Sequence, residues 1–352
     1  MEWQNKLTQL LGVTYPVIQA PMLGVTSPAM VAAISNAGGL GSLPVGGFSP
    51  EKTRQLIQEV KSLTDKPYSV NLFAHDVPDI DSVQAEAMRS YLNTLIDKNG
   101  LHAEVPDLES LKFYTYKEQI AILTEENVPI VSFTFGIPDD GSLTKMKQHG
   151  IILIGTATCT EEAILLAEKN VDAIVLQGIE AGGHRGSFIP GDVPQVGLMA
   201  LVPMARKAVN IPLIASGSIN SGETVKAAFA LGALAVQIGT AFISANESLA
   251  IPAYKQALAT AKDTDTILTR AFSGRWARGI KNDFIDKVES TGLDIPPYPI
   301  QNSLTGTLRA EAQKKDNGQL TNLWSGQAAA LSADKLPSAD IFNKIISETE
   351  SL

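Results

Sequence analysis

The chain has 352 residues, 44% of them hydrophobic and 18% charged, with a formal net charge of −9. That length accommodates two domains or one elaborated α/β barrel; the composition argues against disorder, and the negative balance against non-specific nucleic-acid or anionic-membrane binding. A single cysteine, Cys159, excludes an internal disulfide and a cysteine-built zinc site and fits a reducing cytoplasm, and Met1-Glu-Trp-Gln-Asn-Lys-Leu-Thr8 lacks the apolar core of a signal peptide.

Along the chain, short β-rich runs alternate with amphipathic stretches. Strands are predicted at Val17–Gln19, Leu40–Leu43, Tyr68–Leu72, Ile130–Phe133, Ile151–Ile154, Ala173–Leu176, Leu213–Ala215 and Ala235–Ile238. Helices are predicted over Ser27–Ala37, Pro50–Leu63, Ser142–Gln148, Glu161–Lys169, Leu198–Ala208 and Ser221–Leu231, several opened by a capping serine such as Ser27 or Ser49. Pro67, Pro129 and Pro212 each precede a strand, where a missing N–H costs little. This cadence predicts an α/β fold, a (β/α)8 TIM barrel. The competing doubly wound sheet lacks its Gly-x-Gly-x-x-Gly after the first strand, and Gly38-Gly39-Leu40-Gly41 reads as a helix stop entering the second strand. The apolar window from Ala228 to Ala245 approaches bilayer length, but Gly232, Gln237, Gly239 and Thr240 split it into helix end, turn and strand, so no membrane span is expected.

Two segments exceed the barrel rhythm. Residues 75–126 carry helical patches at Val83–Asp97 and Lys117–Glu125; residues 245–352 carry Pro296-Pro-Tyr-Pro299 and a polar run from Lys314 to Gly318. The expected division is a barrel from residues 1–74 and 127–244 and a second, mostly helical substrate-capping domain from the two excess segments.

The chemistry concentrates at strand ends. The apolar run Asp172–Leu176 feeds Gln177-Gly-Ile-Glu-Ala-Gly-Gly-His-Arg-Gly186, where Gly182, Gly183 and Gly186 let main chain approach a flat ligand and His184 is presented beside it. After the last two strands, Ser216 and Gly217, and Gly239 and Thr240, form small polar loops of the kind that hold phosphate in barrels. Asn71 and Gln177 can each donate and accept, as the edge of a heterocycle requires, and Met22 can line a ring face or fill core. Arg185 either holds an anionic substrate or pairs with Glu180. His75, His102 and His149 have no partner pattern, no metal site is suggested, Asp139-Asp140 reads as a solvated helix start, and Cys159 reads as a buried small hydrophobe.

Taken together, Gln19-Ala-Pro-Met22, Ser35-Asn-Ala-Gly-Gly-Leu-Gly41, Ser132-Phe-Thr-Phe-Gly136, Gly155-Thr-Ala157, the Gln177–Gly186 segment, Gln237-Ile-Gly-Thr-Ala-Phe242 and Trp324-Ser-Gly-Gln327 resemble the nitronate monooxygenases, formerly 2-nitropropane dioxygenases, of the bacterial class I branch. The resemblance runs from about residue 7 to about residue 330. It implies an FMN enzyme that oxidises alkyl nitronates such as propionate 3-nitronate with O2 to a carbonyl compound plus nitrite or nitrate. By this similarity Asn71, Gln177, Gly182, Gly183, Ser216, Gly217, Gln237, Ile238, Gly239 and Thr240 contact FMN, Ala20 and Met22 flank its ring, His184 is the active-site histidine, and Tyr298 is substrate-side. Thr134 stands where some relatives carry a histidine, which bears on substrate range. The nearest alternative is an FMN-dependent NAD(P)H reductase on the same barrel, an enoyl-acyl-carrier-protein or quinone reductase; a non-catalytic barrel that senses a phosphorylated ligand is the alternative from another class. Expected partners are the small-molecule nitronate and O2, with a homo-oligomer left open.

Overall fold

The order of apolar and small polar residues within each strand explains the architecture. Residues 2–332 and 335–352 are described by a computed structural model, in which strands Val17–Gln19, Gly41–Pro44, Tyr68–Phe73, Ile130–Thr134, Ile152–Ala157, Ala173–Gln177, Leu213–Ser216 and Ala235–Ile238 form one parallel sheet. Neighbours in sequence are neighbours in space, and the first strand pairs with the eighth through Val17 with Val236. A parallel bridge from Ile18 to Leu40 joins the first strand to the second and brings the sheet round into a nearly closed barrel.

Side chains alternate across each strand, so each one divides its residues between two cores. In the sixth strand, Ile174 and Leu176 face outward to the helices, where they share a core with Leu166, Leu201 and Val202. Ala173 and Val175 face inward, into a plug with Ile18, Ile130, Ile154 and Ile214. Leu7 and Leu11 of the N-terminal helix Lys6–Leu11 join this plug, and Gln177 continues the inward row towards the mouth. Helices begin where side-chain oxygens can take orphan N–H groups: Ser27 accepts from Met30 with Pro28 at the first helical position, and Ser221 forms a capping box with Thr224. The apolar Ala228–Ala245 window resolves into the end of helix Gly222–Leu231, a left-handed Gly232, a strand and a 3-10 turn. Among the described residues no helix is long and apolar enough to cross a membrane.

The division of the chain differs from expectation at two places. Helix Tyr116–Glu125, expected in the cap, packs on helices Pro50–Leu63 and Asp140–Gln148 and buries Ile120 and Leu123 in the outer barrel core. Helix Ser338–Ser351 likewise returns to the barrel, lying against helices Pro28–Asn36 and Gly222–Leu231 with Ile341, Phe342, Ile345 and Ile346 inserted. Long sequence separation hides such a return, because an amphipathic stripe does not name its partner. The remaining excess forms a second layer with its own core, in which helix Ser82–Lys98 contributes Met88 and Leu92, and the C-terminal segment contributes Phe272, Phe284, Ile300, Leu304 and Leu308. This layer is not only helical. Thr266–Thr269 and Ala277–Ile280 form an antiparallel pair, and Gly183–His184 adds to its edge as a third strand.

Phe342 lies so close to the second strand's entry that a Cβ on Gly39 would sit 2.4 Å from its ring. Phe342→Ala should therefore cost about 3–5 kcal/mol, read as a lower denaturant midpoint. Val83→Ala, at a position 81% exposed in the cap, should leave that midpoint unchanged.

Candidate active site

A cavity of ≈ 300 Å³ lies at the carboxyl ends of the barrel strands, the end at which barrel enzymes place their chemistry. One wall comes from the last two strands. Ser216 ends the seventh and Gly217, Ser218 and Asn220 follow it, Gly239 and Thr240 follow the eighth, and Gly326, Ala328 and Ser332 close over them from the C-terminal segment. Thr240 Oγ1 accepts from the Gly326 N–H at 3.1 Å, which ties that segment to the barrel. Gly217 adopts φ +145, a value L side chains rarely reach, and Ser218 follows at φ +48. The Ser218 hydroxyl is buried without a partner, and so is the Asn220 Oδ1, whose amide nitrogen donates to Ala328 O at 3.1 Å. Buried polar atoms ordinarily find partners. A phosphate oxygen facing the Ser218 hydroxyl and a polyol hydroxyl facing the Asn220 carbonyl would satisfy both, so these residues fit a phosphorylated ligand with a hydroxylated chain.

The middle of the cavity is lined by Ala20, Pro21 and Met22 after the first strand, with Asn71, Ser132, Gln177, Gly182, Gly183 and Gln237. A Cβ on Gly239 would lie 3.4 Å from Ala20 Cβ and 3.5 Å from Met22 Sδ, so any larger side chain there would grow into this space. Ile238 is not brought to the cavity: strand alternation turns its side chain into the outer core, and its carbonyl accepts from Ala20 N at 2.8 Å. Asn71 Nδ2 donates to Ser132 Oγ at 2.9 Å. Gln177 has a second task unforeseen in its sequence. Its amide donates to His184 O at 2.9 Å and accepts from Gly186 N at 2.9 Å, fastening the histidine loop to the sixth strand.

From the other side the loop is held by the small sheet, with Gly183 opposite Arg278 and His184 opposite Ala277, and by Arg185 N donating to Trp276 O at 2.8 Å. Gly183 takes φ +75, and Gly182 has no room for a Cβ, which would fall 2.5 Å from Gly326 N. His184 lines the cavity with its Nε2 2.8 Å from Ser273 Oγ. Aromatic rings surround it: Trp324 at 5.4 Å between centroids, Phe135 at 5.5 Å, Tyr298 at 6.1 Å and Phe73 at 6.5 Å. Burial in this collar, reinforced by the positive charges of Arg275 and Arg309, pushes the imidazole pKa down to about 3, so His184 is neutral at physiological pH. Tyr298 contacts His184 without lining the cavity, and burial raises its phenol pKa so that it stays protonated.

Neither reading of Arg185 holds. It is fully buried, away from the cavity, and donates to Gly178 O at 2.6 Å and Gln177 O at 3.0 Å, while Glu180 Oε1 accepts instead from Leu198 N at 3.0 Å. Arg275 braces the same loop through Arg185 O and Ser187 O, with its guanidinium 4.1 Å from the Phe135 ring centroid. Cys159 sits half-buried before helix Thr160–Glu168, and burial pushes its thiol up, the opposite of an activated nucleophile. Among the described residues no cluster of metal-ligating side chains occurs. Ser218, Asn220, Ser273 and Arg309 carried no distinguishing signal in sequence; Trp324 did, as part of the Trp-Ser-Gly-Gln run.

Comparison with known proteins agrees with this geometry. Residues 4–348 match the nitronate monooxygenase family. A probable nitronate monooxygenase of Staphylococcus saprophyticus is 43% identical over 94% of each chain. The nitroalkane oxidase of Streptomyces ansochromogenes superposes with a TM-score of 0.88 at 34% identity, covering 99% of this chain and 98% of its own. FabK of Thermotoga maritima superposes at 0.77 with 28% identity, covering 99% and 96%. The chain is thus an enzyme, an oxidoreductase of the nitronate and nitroalkane type, and it belongs to the nitronate monooxygenase family.

Proposed function

We propose that the chain is a cytoplasmic FMN-dependent enzyme that oxidises alkyl nitronates, propionate 3-nitronate among them, with O2 to a carbonyl compound plus nitrite or nitrate. One observation carries the reading: a single cavity joins the Ser216–Asn220 and Gly239–Thr240 wall, with its partnerless Ser218 hydroxyl, to the neutral imidazole of His184. Ser216, Gly217, Ser218, Gly239 and Thr240 would hold the FMN phosphate, and Asn220 the ribityl chain. Ala20, Met22, Asn71, Gly182, Gly183 and Gln237 would border the ring. The chemistry that bound FMN supplies is acceptance of electrons from the nitronate and their delivery to oxygen. The lone unpaired cysteine suits a reducing compartment.

A nitronate already holds the electron pair that a neutral nitroalkane would have to be deprotonated to provide. The protein's part is therefore to bind, orient and dehydrate it. His184, being neutral, contributes a hydrogen bond rather than a charge. The Ser273 hydroxyl can donate to Nε2, which puts the ring proton on Nδ1 to face a nitronate oxygen. It can equally accept from Nε2 while donating to Arg275 O at 3.2 Å, which leaves Nδ1 as a hydrogen-bond acceptor and too weak a base to take a nitroalkane C–H proton. Phe73, Phe135 and Trp324 keep bulk water from this end. The likeness to FabK supports a second reading, a nicotinamide-dependent reductase on the same barrel. Oxygen uptake with propionate 3-nitronate and no nicotinamide selects the first; NADH or NADPH oxidation without nitronate turnover selects the second.

Three outcomes are expected. His184→Asn should retain flavin yet lose roughly 10²- to 10³-fold in kcat/KM for nitronate, the range for one lost donor to an oxyanion, and wild-type rates would remove His184 from the mechanism. Gly239→Val should lower the flavin content of the purified protein, measured by absorbance after denaturation. The third concerns pH. The folded-state pKa of His184 lies below its unfolded value, so the unfolded chain binds the extra proton first on acidification. Its contribution to stability is complete above about pH 6.5 and is lost as pH falls towards about 3. Denaturation midpoints of wild type and His184→Asn, compared across that window, should show the wild type losing stability faster, and parallel curves would contradict the neutral, buried imidazole.

A further inference from the structure

The protein carries nine more negative than positive charges, yet among the described residues the cavity lining contains no Asp, Glu or Lys and one cation, Arg309. Arg309 stands on helix Gly306–Lys314 of the cap, and its field reaches both His184 and Tyr298, which places it at the substrate end. Its guanidinium is fixed by neutral oxygens only. Nε donates to Thr305 Oγ1 at 3.0 Å, Nη1 to Asn322 Oδ1 at 3.0 Å, and Nη2 to Asn302 O and Asn302 Oδ1, each at 2.8 Å. Of the five N–H groups of a guanidinium, one on Nη1 is left over, and no described carboxylate pairs with the group.

A half-buried cation without a counter-ion is costly, and one that faces a cavity is placed to be completed by a ligand there. Burial lowers the Arg309 pKa to about 10, which leaves it charged at neutral pH. Four neutral acceptors hold the plane in place without cancelling the charge. A carboxylate partner would have cancelled it, and any lysine would have lacked the fork.

We propose that Arg309 is the anion anchor of the substrate end, a specificity-determining residue that receives a planar oxyanion of the substrate: the nitronate group itself or a carboxylate elsewhere on the same molecule. This rests on the nitronate reading above for the substrate, but not for the presence of an anion site.

The test has two parts that fail independently. Nitrate, a planar trigonal anion of the shape of a nitronate group, is titrated calorimetrically into flavin-loaded wild type, Arg309→Gln and Arg309→Lys. Binding to wild type that weakens roughly 10- to 100-fold in Arg309→Gln, the range for a lost hydrogen bond to a charged group, and is partly restored in Arg309→Lys, supports the anchor. No nitrate binding to wild type, or equal binding to all three, overturns it whatever the enzyme's reaction. KM is then compared for ethyl nitronate, with one anionic group, and propionate 3-nitronate, with two. A rise for both in Arg309→Gln, at unchanged flavin content, assigns the nitronate to Arg309; a rise for propionate 3-nitronate alone assigns the carboxylate. An unchanged KM for both, or flavin loss in Arg309→Gln and Arg309→Lys alike, overturns the proposal. Wild type that consumes no oxygen with either nitronate refutes the functional reading and leaves the nitrate result to decide Arg309.

Discussion

The site depends on the edge pairing of Gly183–His184 with Ala277–Arg278. A glycine-rich loop after a barrel strand has too little apolar side chain to hold a shape of its own, and its backbone N–H and C=O groups need partners once covered. Here the hairpin Thr266–Ile280 supplies main-chain partners from above, and the Gln177 amide supplies both a donor and an acceptor from below. The cap and the barrel are therefore not merely stacked. They share a three-stranded sheet with Gly183–His184 as one edge strand, so the position of the imidazole is set by the docking of two layers.

Electrostatics follow from that docking. Closing the cap over the barrel mouth surrounds His184 with rings and brings Arg275 and Arg309 near enough to disfavour a second positive charge. The three groups thereby divide their labour. The histidine stays neutral, Arg275 is consumed in bracing the loop through Arg185 O and Ser187 O, and Arg309 keeps its charge turned to the cavity. Assigning the positive charge to His184 itself, the natural reading of a lone loop histidine, would have contradicted its own surroundings.

The barrel and the small polar loops that end its last two strands were legible in sequence because both are written in local pattern: period-two strands, capped helices, and small polar residues at consecutive strand ends. The outward side chain of Ile238 is a local matter too, since counting the alternation from Gln237 puts it on the outer face. What sequence hid was pairing at a distance. The helix carrying Phe342 belongs beside Gly39, the two-residue strand at His184 needs a partner some ninety residues on, and Ser273 and Arg309 have no motif of their own. An arginine on an amphipathic helix ordinarily points to water; only the tertiary arrangement turns this one inward.

The same docking constrains Thr134, which ends the fourth strand at the cavity. Gly186 runs so close to the fourth and fifth strands that a Cβ on it would lie 2.7 Å from Thr134 Oγ1 and 2.8 Å from Thr156 Cγ2. A short β-branched side chain fits under that loop. An imidazole at position 134 could not lie in the same place without lifting Gly186, and Gly186 N is held by Gln177. It would have to swing towards the cavity, occupying space near Phe135 and His184 that threonine leaves to the ligand. The residue at 134 is thus constrained by the packing of the loop as well as by the barrel wall.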